Sequence, residues 1–147
     1  MAEYVNITKD YVERTLENYF DYKDNLKYSF TAGISVLQAI SIAIVDEKKS
    51  DLELKEKPLF NKITEHHDAQ KLRDITFFRT AASDWECFEN IRNGLSHFVE
   101  NYQYINQDVD LKKFRFTCNN MKSQNTFSDI EEHELNKFLE IIYAIIK

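Results

Sequence analysis

Gly33, Pro58 and Gly94 are the chain's entire stock of backbone breakers, two glycines and one proline in 147 residues. An all-β domain of this length needs a tight turn every ten residues or so, and such turns draw on Gly and Pro. A chain this short of both is suited instead to long helices joined by short polar connections. Its length matches a single domain, 1–147, and is enough to bury a real core. The expectation is an all-α, four- to five-helix bundle, with one short irregular or extended segment before the last helix.

Hydrophobic spacing places the elements. Val12, Leu16, Tyr19, Leu26, Phe30, Gly33, Leu37, Ile40 and Ile44 step by three and four across residues 8–47, with Thr8 as N-cap. That phase fits one long helix or two helices bent near Asp24-Asn25. Residues 46–57 read as a charged loop, and Pro58 opens a short helix with Leu59, Phe60 and Ile63 inward. A further helical stripe runs through Ile75, Phe78, Ala82, Trp85 and Phe88, and another through Leu95, Phe98, Val99 and Tyr102. Periodicity lapses over 107–127, where Phe114 to Thr117 suits a short strand and Asn119-Asn120 a turn. Ser128 with Glu131 three residues on forms a capping box opening a last helix that carries Ile130, Leu135, Phe138, Leu139, Ile142 and Ile146.

Several functions are disfavoured. Cys87 and Cys118 lie far apart with no CxxC spacing, and the first ten residues lack an apolar leader, so a reducing cytoplasmic setting is expected. The most apolar run, Ile34 to Val45, is short of the roughly 20 residues a bilayer span needs and reads as a core helix, with no membrane role. Net charge is −6, which weighs against indiscriminate nucleic-acid binding. One stretch departs from that balance: Leu111 to Lys122 contains Lys112, Lys113, Arg115 and Lys122 without an acid. Beside aromatics, Lys112, Lys113 and Arg115 suit the backbone of a single RNA strand. Glu65-His66-His67-Asp68 invites a metal reading, but neighbours on a helix point about 100° apart, so no metal site and no cofactor is expected.

The richest chemistry lies in Arg92-Asn93-Gly94-Leu95-Ser96-His97. Imidazole moves protons near neutral pH. Guanidinium stays charged and holds two phosphate oxygens, including the extra charge of a pentavalent transition state. An asparagine amide can orient either group. Together Arg92, Asn93 and His97 fit cleavage of RNA by attack of its own 2′-hydroxyl on the neighbouring phosphate, with neither metal nor protein nucleophile. On an unbroken helix Arg92 and His97 would lie about 140° apart, so convergence calls for a break at Asn93-Gly94.

Arg92-Asn93-x-x-x-His97, set between helices, resembles the R-x(4–6)-H signature of HEPN domains, in which the residue after Arg is often Asn. The resemblance is sharp in the motif and covers the rest only in outline. It implies a HEPN-like helical fold and a homodimer whose facing motifs form a metal-independent endoribonuclease. It also implies a role as a toxin with an antitoxin partner, in phage defence or in RNA processing. Arg92 would then polarise the phosphate, His97 act as general acid and base, and Asn93 orient it. HEPN toxins modified by a nucleotidyltransferase antitoxin carry Tyr two positions after the His, and Val99 stands there instead. Two other readings remain: a catalytically inactive HEPN-like module that dimerises or binds RNA or protein, and an unrelated helical regulator in which Arg92 pairs with Glu86 or Glu89.

Overall fold

The computed structural model describes residues 7–50, 58–75, 84–96, 102–107, 110–118 and 126–147. These form α1 (Ile7–Tyr22), a 3-10 turn (Lys23–Asn25), α2 (Ser29–Lys49), α3 (Leu59–Thr64), α4 (Ala69–Arg73) and α5 (Asp84–Ser96). A three-stranded sheet follows, β1 (Tyr102–Gln107), β2 (Asp110–Cys118) and β3 (Thr126–Glu131), and α6 (Glu132–Ile146) closes the chain. The described chain is predominantly helical, as the scarcity of breakers implies.

The continuous apolar phase over 8–47 divides into two helices. After Tyr22 the chain tightens into the 3-10 turn, and Leu26 is extended (ψ 137°), which stops α1 and redirects the backbone. Of the two arrangements that the spacing permits, the one bent near Asp24-Asn25 is realised. Thr8 lies within α1 rather than capping it, because the helix already includes Ile7. The 46–57 loop is also shorter than its charge suggests, since α2 keeps Asp46, Glu47, Lys48 and Lys49 helical.

α2 is the central helix. Phe30, Gly33, Ile34, Leu37, Ile40, Ser41, Ile44 and Val45 are all buried. Val12, Leu16 and Tyr19 of α1 pack on one side, with Leu135, Phe138, Leu139 and Ile142 of α6 and Phe88 and Ile91 of α5 completing the core. Gly33 is where these elements come closest: a Cβ there would lie 2.8 Å from Leu135 Cδ2 and 2.9 Å from the Tyr19 hydroxyl. Ser29 Oγ donates to Glu132 Oε1 at 2.8 Å, tying the start of α2 to that of α6. Pro58 is the N-cap of α3, whose Leu59, Phe60 and Ile63 are buried as expected. Glu47 takes the Leu59 N–H, satisfying a donor that the first turn of a helix otherwise leaves without a partner.

Beyond α3 the helical stripe begun in the 71–90 region is interrupted. α4 ends at Arg73, a bend follows through Ile75, and 76–83, with Phe78 and Ala82, lie outside the described residues. Trp85 and Phe88 belong to α5, and Phe60 of α3 meets both rings edge-on, at 5.2 and 5.9 Å between centroids.

The sheet is more extensive than the short extended segment read from 114–117. β1, β2 and β3 form an antiparallel meander in sequence order. Phe114 occupies the ladder position between Tyr104 and the fully buried Ile130, and Phe116 the one between Tyr102 and Ser128. Tyr102 therefore opens a strand instead of continuing the stripe from Leu95, while Phe98 and Val99 lie outside the described residues. Ser128 is a strand residue and not the N-cap position of the last helix. α6 starts at Glu132 with Glu131 as N-cap, because pairing with β2 holds the backbone extended through Glu131. Asn119-Asn120 lies outside the described residues.

Candidate functional site

Arg92 lies in the last turns of α5, above the buried pair Phe88 and Ile91. Those two residues fix the face that α5 turns to α2, and Arg92 follows at its margin. Its guanidinium reaches across the seam to the end of α2, with Nη2 3.4 Å from Asp46 Oδ1. The pair is open to water, with side-chain exposures of 34% for Arg92 and 57% for Asp46. Arg92 Nη1 also donates to Asn93 Oδ1 at 3.2 Å. One turn back on the same seam, Lys49 Nζ lies 3.0 Å from Glu89 Oε2 and 5.9 Å from the Trp85 ring centroid.

The structure thus brings Arg92 and Asn93 together and sets Asp46 against the guanidinium, while Glu89 pairs with Lys49 and the side chain of Glu86 lies outside the described residues. No periodic signal could reveal that pairing, since Asp46 is joined to α5 only through the packing of α2. The break expected at Asn93-Gly94 does not occur there, as α5 runs unbroken to Ser96. A helical glycine lowers stability by about 1 kcal/mol relative to alanine, a cost that packing against α2 can absorb without the helix stopping. His97 lies outside the described residues.

The basic strip falls on β2. Its backbone register sets Lys113 opposite Glu131 and Arg115 opposite Asp129, and Lys112 lies between the positions that pair with β1. An acid-free sequence window is therefore not acid-free in space.

Among the described residues, two clusters offer imidazole and carboxylate together. His66, His67 and Asp68 form one, in the turn between α3 and α4 rather than on a helix, so their directions are not fixed at helical spacing. The two rings stack at 4.1 Å between centroids, His66 Nδ1 accepts the Asp68 N–H at 3.0 Å, and Lys71 Nζ approaches Asp68 Oδ1 at 3.3 Å. Glu131, His133 and Glu134 form the other, where β3 passes into α6.

Elsewhere, a shallow apolar groove of about 440 Å³ runs between Tyr11 of α1 and Ser35, Gln38, Ala39, Ile42 and Ala43 of α2. Among the described residues α2 alone is long and apolar enough to cross a bilayer, and the residues buried along one face are those that build the core. Tyr19 lies on the buried face of α1. Burial raises its pKa to about 12, and Glu132, Asp24 and Glu140 push in the same direction. Its hydroxyl donates to Asn136 Oδ1 at 2.6 Å. Comparison with protein-family models, curated proteins and solved structures yields no match to this chain.

Proposed function

We propose that this chain is a HEPN-type, metal-independent endoribonuclease that works as a homodimer in the cytoplasm, as a toxin in a toxin–antitoxin or phage-defence system. The observation that carries the proposal is the position of Arg92: a guanidinium at the open edge of a helix seam, held among the described residues by the well-exposed carboxylate of Asp46 and touching Asn93. An exposed ion pair is worth only about 0.2–1 kcal/mol, so a phosphodiester with two oxygens for the guanidinium fork can displace Asp46 at small cost.

In this reading the Arg92 fork draws charge from the scissile phosphate as its oxygens become more negative. His97 takes the 2′-hydroxyl proton and returns one to the departing 5′-oxygen, and Asn93 helps align the phosphate-binding group. A second protomer brings a second copy of each residue to the same cleft. Lys112, Lys113 and Arg115 would steer the strand, an antitoxin protein would close the cleft, and no cofactor takes part.

The alternative is a catalytically inactive HEPN-like module for dimerisation or for RNA or protein binding. The continuity of α5 through Gly94 and the acids opposite Lys113 and Arg115 favour it. The test is incubation of purified chain with RNA in excess EDTA. Cleavage leaving 2′,3′-cyclic phosphate ends is expected, with a loss of about 10²-fold or more in His97→Ala while the circular dichroism spectrum and dimer are unchanged. Intact RNA under these conditions, alongside a stable dimer, would establish the inactive module instead.

A further inference from the structure

We infer that Glu131, His133 and Glu134 form a binding site for a divalent transition-metal ion at the junction of β3 and α6, independent of the Arg92 region. Each of the three offers a ligand atom, and these atoms all lie within 4.8 Å of one another. His133 Nδ1 and Glu131 Oε2 are already 3.5 Å apart. Zinc bonds to nitrogen and oxygen of about 2.0–2.2 Å set neighbouring ligands of a tetrahedron about 3.3–3.5 Å from each other, so this edge is nearly in place. The Glu134 ligand atom lies within 4.8 Å of both and makes up a face of three donors.

The second observation is an electrostatic debt at Glu134. Its Oε2 is buried from water and meets no hydrogen-bond donor among the described residues. A carboxylate oxygen withdrawn from solvent needs a donor or a cation. The first turn of α6 also contains Glu132, already engaged with Ser29, so acids crowd this corner. The positive end of the helix macrodipole favours acids there, which accounts for their presence. It does not supply a direct partner to the buried oxygen. The His66, His67 and Asp68 cluster lacks this debt, because His66 Nδ1 and the Asp68 carboxylate are engaged by the Asp68 N–H and Lys71.

One imidazole and two carboxylates suit zinc or its first-row neighbours better than magnesium, which prefers oxygen and water alone. The ion would pin the last residue of β3 to the opening turn of α6. Removing the metal then loosens the attachment of the sheet to the core.

The test uses the full chain without a polyhistidine tag, stripped with EDTA and dialysed, titrated with Zn²⁺ by calorimetry and with Co²⁺ by visible absorption. One ion per chain is expected, with cobalt bands showing nitrogen and oxygen ligation. His133→Ala and Glu134→Gln should each weaken binding about tenfold or more, and His67→Ala should leave it unchanged. His133 is 75% exposed, so its replacement should not unfold the protein, and circular dichroism checks this. Absence of saturable Zn²⁺ binding, or its loss in His67→Ala with retention in His133→Ala, overturns the assignment. Neither readout depends on RNA cleavage.

Discussion

Gly33 offers the sharpest test of the packing at the centre of the bundle. Replacing a mid-helix glycine with alanine ordinarily stabilises a protein by about 1 kcal/mol, because alanine loses less backbone freedom on folding. Here the new methyl would lie 2.8 Å from Leu135 Cδ2 and 2.9 Å from the Tyr19 hydroxyl, inside van der Waals contact on two sides. Leu135 is fully buried, so its methyl has no open space to enter, and overpacking of this kind costs about 1–3 kcal/mol. Displacing the Tyr19 hydroxyl also strains its 2.6 Å bond to Asn136, worth about 1 kcal/mol net. The costs outweigh the propensity gain, and Gly33→Ala is expected to lose about 1–2 kcal/mol, measured by urea unfolding followed by circular dichroism. In a Tyr19→Phe background the hydroxyl contact is gone and the same substitution should cost less, a coupling that a double-mutant cycle reads directly. A Gly33→Ala protein as stable as the wild type would refute the close approach of α1, α2 and α6.

Other perturbations probe the seam and the caps. Asp46→Asn removes the carboxylate facing Arg92 and should change stability by less than about 1 kcal/mol while increasing RNA affinity in a filter-binding assay; weaker binding would argue against Arg92 as a phosphate contact. Glu47→Ala deprives the Leu59 N–H of its acceptor and should cost about 1 kcal/mol in thermal or urea unfolding. The Tyr19 phenol is harder to ionise in the fold, at about 12, than at its ordinary value of 10. Its stabilising contribution is thus complete below pH 10 and should fall away between pH 10 and 12, with a shallower decline in Tyr19→Phe.

How far the fold can be read from the residues differs by element. The cores of α2 and α6 were legible because their apolar positions recur at helical spacing and nothing competes with them. At Lys23–Asn25 the residues left a straight helix and a bend near Asp24-Asn25 equally open, since Tyr19, Leu26 and Phe30 keep the helical phase across the turn. The sheet is a different case. Tyr102 and Tyr104, then Phe114 and Phe116, alternate with polar residues at the period of a strand, and the register aligns them. In β3 the apolar residues Phe127 and Ile130 fall on opposite parity, so alternation is lost there while Ser128 and Glu131 imitate a helix cap. Non-local pairing with β2 overrides that local preference.

At the site the same division between local and tertiary information recurs. Arg92 and Asn93 were recognisable from residue type and spacing, and they do touch. Asp46, which sets how available the guanidinium is, reaches Arg92 only because Ile44 and Val45 sink into the core and leave the next residue at the seam with α5. The acids that oppose Lys113 and Arg115 likewise arrive through strand pairing, more than a dozen residues away along the chain. Charge counted along a window therefore misses the acidic positions that the register sets opposite it, and under the proposed ribonuclease reading those acids would temper the pull of Lys113 and Arg115 on RNA. If that is right, neutralising Asp129 and Glu131 together should raise RNA affinity and steepen its dependence on salt, because two more cations become available to displace counterions from the strand. An unchanged salt slope would mean that β2 takes no part in binding.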